Sequence, residues 1–246
     1  MQASEFYTGI VAEVYCVLRG THFDAGRYRS FIQEHGAPAL ELGCGDEGPF
    51  YDLVAEGLDL DGVDSSIDMV RRGRERLLAQ GSNAVVHHQP MEQLALDRSY
   101  ASIYLAGPTF NLLPDDATGL LALRAIAAHL QPEGAALVPL WTPPPTPAEE
   151  IGAVHRAPID HGEARYYILG EEYDVAARTR TTRMRYELTT AGETAAQERE
   201  WIIHWHTTDG FGDLAAQAGL EAQITPINDS QVEAVLRHRD HGLRHP

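Results

Sequence analysis

The chain has 246 residues, 43% of them apolar, enough for one large core or for a core carrying a sizeable insertion. Its formal charge is −17, and all 19 strongly basic side chains are arginines. So acidic a composition argues against nucleic acid and against an anionic membrane surface as partners, because phosphate neutralisation needs a basic stripe. Cys16 and Cys44 make no disulfide framework in a chain of this length. The opening MQASEFYTGI lacks the basic-then-apolar order of a signal peptide, and no apolar run approaches the ~20 residues needed to span a bilayer. A soluble cytoplasmic protein is expected.

Residues 1 to about 36 predict helices: FYTGIVAEVYCVLRG has helical apolar spacing, and RYRSFIQEHG closes on Gly36. APALELG predicts the first strand. Pro49, at a favoured first helical position, opens the short helix FYDLVAEG, and LDGVD is a second strand ending on Asp64. Ser65 is expected to cap SIDMVRRGRERLLAQ. NAVVHHQ and YASIYLAG read as third and fourth strands, apolar enough for a sheet covered on both faces. Asp115 and Asp116 open the helix DATGLLALRAIAAHL, QPEG is its exit turn, and GAALVPLW is the fifth strand. This alternation predicts an α/β, Rossmann-like, doubly wound and mostly parallel sheet.

After PLWTPPPTP the pattern changes. ARYYILGEEYD, RTTRMRYELTT and QEREWIIHWH alternate with a period of two and predict an antiparallel layer, inserted so as to cover the mouth of the cleft. A helix, DGFGDLAAQAGL, then precedes two closing strands, ITPI and EAVLRHR. The expected divisions are an N-terminal helical cap over 1–36, a core over 37–142, a β insertion over 143–207, and a closing helix and strands over 208–246.

The stretch ALELGCGDEG carries most of the chemical information. A strand that stops on an acid, a glycine turn, a helix and a second strand ending in an acid make a nucleotide-binding βαβ unit. Gly43, Gly45 and Gly48 also satisfy the dinucleotide pattern G-x-G-x-x-G. Charge separates the two readings, because a diphosphate wants bare amides and no neighbouring carboxylates. Glu41, Asp46, Glu47 and Asp64 surround this turn and suit a cationic ligand that carries a ribose, such as the sulfonium S-adenosylmethionine.

The strand followed by E-L-G-C-G, a helix and G-V-D-S-S-I-D-M resembles the first two motifs of the class I S-adenosylmethionine-dependent methyltransferases. The later QPEGAALVPLWTPP, TTRMRYELTT and AAQAGL are similar to the small-molecule members that dimethylate amino groups of nucleotide-linked sugars. The resemblance implies that Gly43 and Gly45 line the methionyl site, that Asp64 binds the ribose with Ser65 beside it, and that Glu41 reaches the cofactor's amino group. Glu47 stands at the family's third glycine. Met91 matches the methionine after the third strand and Pro90 replaces the usual aspartate, so Gln89, Met91 and Glu92 are the candidates for the adenine. Met69 lies near the adenine or in the core. Leu105 and Ala106 are expected to run along the cofactor, with Phe110 and Asn111 facing the substrate.

Tyr7 and Tyr15 lie on helical faces from which they could close over the sulfonium, a tyrosine face attracting a cation, or pack in the core. Tyr15 is assigned to the cofactor and Tyr7 to the substrate. His204 and His206, two apart on a predicted strand, share a face that could meet the cleft; His206 is the candidate general base and His204 a substrate contact. Without a third ligand at a clear spacing they are not assigned a metal. Arg183 and Arg185 share a face in the same way, to hold an anionic group or to pair with surface acids. The function expected is methyl transfer from S-adenosylmethionine to a small-molecule acceptor, N or O, with a homodimer left open. The rivals are an NAD-type oxidoreductase and a non-catalytic metabolite-binding module.

Overall fold

The computed structural model describes residues 6–18 and 24–239. Residues 1–5, 19–23 and 240–246 lie outside the described residues, and parts of the predicted N-terminal helical stretch and the last residues of the chain fall among them. Helices α1 (Ile10–Leu18) and α2 (Ala25–His35) precede β1 (Ala39–Leu42), α3 (Pro49–Ala55), β2 (Leu60–Asp64), α4 (Ile67–Ala79), β3 (Val86–His88) and β4 (Tyr100–Tyr104). Then come α5 (Asp116–His129), β5 (Leu130–Trp141), β6 (Val154–Ile159), β7 (Gly162–Asp174), β8 (Thr179–Thr190) and β9 (Glu193–His204). Helix α6 (Thr208–Gln217) and strands β10 (Leu220–Asn228) and β11 (Gln231–His238) close the fold.

The larger sheet has the order β10-β11-β5-β4-β1-β2-β3. Strand β1 pairs in parallel with β2 and β4, β4 pairs in parallel with β5, and β11 runs antiparallel to both β5 and β10. All four residues of β1 are buried, as a strand covered by helices on both faces requires. The strand order reverses between β1 and β4, and a ligand crevice opens at the carboxyl ends of strands at such a point. The second sheet, β6-β7-β8-β9, is antiparallel throughout. Helix α1 lies on one of its faces, with Phe6, Val11 and Val14 against Ala164 and Tyr186.

Three local expectations change. Ser66, not Ser65, caps α4, its hydroxyl accepting from the Met69 N–H at 3.2 Å. QPEG is no exit turn: α5 runs directly into β5, and the pairing steps from Tyr100–Leu130 to Ser102–Ala135 across it. Pro132 has no N–H for the ladder, so those residues are accommodated as a register shift inside the strand. Strand β6 was not expected at all, because VHRAPI lacks a clean apolar alternation and carries a proline; it survives at the sheet edge, where a missing N–H costs nothing.

Helix α3 supports the glycine turn, and α4 packs closely against it. The Tyr51 hydroxyl donates to the Gly45 carbonyl at 2.7 Å, and a Cβ at Gly73 would collide with that hydroxyl. Gly73→Ala is therefore expected to cost about 1–3 kcal/mol through overpacking, more than alanine gains in a helix. Urea unfolding checks this, and the cost should shrink in a Tyr51→Phe background, where the colliding oxygen is gone.

Candidate active site

A cavity of about 670 Å³ opens between the carboxyl ends of β1, β2, β4 and β5 and the second sheet. Its floor is the turn after β1. Gly43 (φ +77°) and Gly45 (φ +57°) hold a backbone that favours glycine. A Cβ at Gly43 would sit 2.6 Å from Thr109 Cγ2, whereas nothing lies within 4 Å of one at Gly45, so the backbone there is open to a ligand.

Asp64 ends β2 at the cavity wall. Its Oδ2 accepts from the Gly45 N–H at 2.9 Å and its Oδ1 from the Ser66 N–H at 2.8 Å. Burial raises its pKa above the ordinary value against the pull of those two N–H groups. A carboxylate offers about four lone-pair sites, so acceptor capacity remains for a ligand's hydroxyls.

Glu41 is 1% exposed, and its Oε2 has no hydrogen-bond partner. Burial, with Asp64 close by, pushes its pKa up to about 8 despite the neighbouring Tyr104 hydroxyl. A buried acceptor without a partner is costly unless a ligand satisfies it. Cys44 is buried, which holds its thiol well above the usual range and removes it as a nucleophile.

The N-terminal segment covers this floor. The Gly9 N–H donates to Asp68 Oδ2 at 2.8 Å, the Ser66 hydroxyl donates to the Tyr7 carbonyl, and the Cys16 thiol donates to Asp46 Oδ2 at 3.1 Å. Tyr7 and Tyr15, rings 4.6 Å apart, both line the cavity. Burial, with Tyr15, Tyr186 and Asp64 near, keeps the Tyr7 phenol protonated.

Of the residues expected at the site, Glu41, Gly43, Gly45, Asp64, Ser65, Met69, Gln89, Met91, Glu92, Ala106, Tyr7 and Tyr15 meet on this cavity. Gln89 is there but occupied: both ends of its amide bond the backbone of Ala95, stapling the loop. The acid ring loses Asp46, which turns to α1 and Cys16, while Glu47 stays on the wall.

Five candidates lie elsewhere. Leu105, the residue after β4, is fully enclosed in the apolar core. Phe110 is likewise buried, packed on Phe211 and His206 at 5.4 Å from each. Asn111 turns away from the cavity: its Nδ2 donates to the carbonyls of Trp141 and His204, both at 2.9 Å, and its Oδ1 accepts from the Trp141 N–H at 3.0 Å. His204 and His206 point to Asp116, at 3.0 and 3.2 Å, and line no part of the cavity. Burial lowers the His206 pKa to about 4, with His204 adding to it, so the ring is neutral at physiological pH. Arg185 pairs with Glu187 at 2.8 Å and Glu198 at 3.3 Å, the surface-acid alternative.

The walls that sequence reasoning missed are Trp141, Trp201, Ile203, Leu112, Leu121 and Gln231. Arg180 stands 4.9 Å from the Trp141 ring and 5.5 Å from the Trp201 ring and fastens the two indoles together. One signal was available for Trp141, an aromatic residue at the carboxyl end of a predicted sheet strand. Trp201 had none, because its position depends on how the second sheet folds over the first.

Comparison with known proteins agrees with this fold. A family described as a methyltransferase domain matches residues 39–134. The S-adenosylmethionine-dependent methyltransferase of Clostridium acetobutylicum ATCC 824 superposes with a TM-score of 0.71 at 12% identity, over 92% of this chain and 97% of that one. The CcbJ methyltransferase of Streptomyces caelestis gives 0.68 at 20% identity, over 88% and 95%. The chain has the fold of these methyltransferases. In sequence, the chain is 27% identical over 146 residues to the dTDP-3-amino-3,6-dideoxy-alpha-D-glucopyranose N,N-dimethyltransferase of Streptomyces fradiae, a match spanning 56% of each protein. The chain thus spans just over half the length of the relative it matches.

The methyltransferase cofactor fits the residues present. Glu41 offers an unpartnered buried acceptor for an amino group, Asp64 has spare acceptor sites for ribose hydroxyls, and the open face of Gly45 admits a close approach. Every charged side chain among the described wall residues is acidic, which favours a cation and disfavours a pyrophosphate.

Glu41 makes apo stability pH-dependent. The folded chain keeps its proton up to about pH 8, whereas the unfolded chain releases it near the ordinary 4.5. Folding stability is therefore full below that value and falls as pH rises toward 8, by up to about 1.4 kcal/mol per unit. Glu41→Gln, uncharged throughout, should match the parent near pH 5 and exceed it in melting temperature at pH 9. Ligand-free thermal unfolding across that range is the check, and a constant difference would refute the assignment.

Proposed function

We propose that this chain transfers the methyl group of S-adenosylmethionine to an amine of a small molecule. The observation that carries the reading is the cavity at the strand-order switch, with the unpartnered Oε2 of Glu41 and bridging Asp64 at one end and the Trp141–Trp201 wall at the other. The printed name of the Streptomyces fradiae relative supports an amino group as acceptor. The low cysteine content and the acidic charge support a cytoplasmic enzyme acting on a metabolite rather than on nucleic acid. No helix among the described residues is long and apolar enough to cross a membrane.

When bound, S-adenosylmethionine supplies a methyl group already activated by its sulfonium, with a neutral thioether as leaving group. The protein's work is then binding, alignment and exclusion of water. Asp64 and Glu41 fix one end of the ligand through acceptor oxygens, while Tyr7 and Tyr15 cover it. Trp141, Trp201 and Ile203 present a largely apolar surface to the acceptor, and Asn111 fixes Trp141 through two hydrogen bonds and reaches the His204 carbonyl with a third. Fixing two reactants in line accounts for as much as ~7–11 kcal/mol of barrier lowering. The histidines stand behind this wall, so the amine's proton leaves to solvent or to a wall carboxylate.

S-adenosylhomocysteine at about a hundredfold over its dissociation constant should stabilise the chain by about 2.7 kcal/mol, roughly 5–10 °C in melting temperature. Asp64→Ala should abolish that shift. The absence of any shift at millimolar ligand, or an equal shift with NAD, would overturn the reading. Trp201→Ala is expected to raise KM for an amine acceptor more than it lowers kcat, read by mass spectrometry as the gain of one CH2 per transfer.

A further inference from the structure

Asp116, His204 and His206 form, among the described residues, a cluster whose candidate ligand atoms all lie within 4.8 Å of one another. The sequence places Asp116 far from the histidines; the fold brings the amino end of α5 against the exit of β9. His204 Nε2 lies 3.0 Å, and His206 Nδ1 3.2 Å, from the same oxygen, Asp116 Oδ1. A tetrahedral ion bound at ~2.0–2.1 Å holds its ligand atoms about 3.3 Å apart, so two of the three edges are close to that length.

The surroundings fit as well. Arg178 pairs with the other oxygen, Asp116 Oδ2, the kind of outer contact that orients a ligating carboxylate. The His206 side chain is 0% exposed; its Nε2 has no hydrogen-bond partner, its Nδ1 faces Asp116 Oδ1 without hydrogen-bond geometry, and His204 Nδ1 also lacks a partner. Asp116 is the solvent-facing member, its side chain 44% exposed, so an ion has a route in. Imidazole nitrogens with one carboxylate oxygen select zinc, cobalt and nickel over magnesium or calcium.

We propose that Asp116, His204 and His206 bind one divalent transition-metal ion of the zinc type, with water completing its coordination. None of the three lines the cavity, and Asn111, which holds Trp141, also holds the His204 carbonyl. The ion is structural: it ties α5 to the chain leaving β9 behind the acceptor wall. This inference is independent of the methyltransferase reading.

The test uses the full chain, stripped with EDTA and then given Zn2+ or Co2+. One equivalent of zinc should be retained through gel filtration, zinc should raise the melting temperature, and cobalt should give the visible absorption of a low-coordinate site. Asp116→Asn and His206→Phe, the latter refilling the slot beside Phe110 and Phe211, should each lose the cobalt absorption and the bound zinc. Circular dichroism of each variant establishes that it is folded, and if His206→Phe does not fold, Asp116→Asn decides. Failure of the parent to retain zinc overturns the proposal. So does retention in the folded variants, which would put the ion elsewhere.

Discussion

The structure depends on one carboxylate. Asp64 accepts from the N–H of Gly45 in the turn after β1 and from the N–H of Ser66 at the start of α4, and so joins the two loops that make the floor of the cavity. Charge-assisted bonds of this kind contribute about 1.5–3 kcal/mol each, while removing the carboxylate from water costs several. That its pKa still lies above the ordinary value shows that burial wins. An acid held at a net electrostatic cost is what a binding site requires, because a ligand offering hydroxyl donors or positive charge recovers the difference. Glu41, a strand away and without a partner for one oxygen, extends the same arrangement.

Around that floor, cover comes from segments remote in sequence. The Gly9–Asp68, Tyr7–Ser66 and Cys16–Asp46 contacts bring the N-terminal segment over Asp64, and α1 in turn packs on the second sheet. The second sheet contributes Trp201 and Ile203, and the first contributes Trp141. Asn111 and Arg180 couple them, one by three hydrogen bonds and the other by standing against both indoles. The Trp141–Trp201 wall is thus a joint between two sheets, and its shape follows from their docking.

The grouping of Glu41, Gly43, Gly45 and Asp64 at one end of the cavity was largely legible beforehand. Glu41, the glycines and Asp64 lie within a single βαβ unit, where strand ends, turn chemistry and helix start are all local, so spacing alone brings them together. Where local reasoning failed, a competing local rule had won. Ser66 displaced Ser65 because the capping hydroxyl must sit three residues before the N–H it accepts from, that of Met69. Phe110 and Asn111 follow β4 as expected, but the short turn that contains them faces them inward, one into the core and the other onto Trp141.

The sequence by itself determined the parallel sheet, its antiparallel addition and the gathering of acids and glycines at the ends of β1 and β2. Apolar periodicity, glycine turns and strand-end acids act over a few residues and leave an unambiguous trace. The tertiary structure alone decided that His204 and His206 meet Asp116 instead of the cavity, and that Trp141 and Trp201 become its wall. Those contacts join residues 60 and more positions apart, and they exist only once burial of apolar faces has docked one sheet on the other.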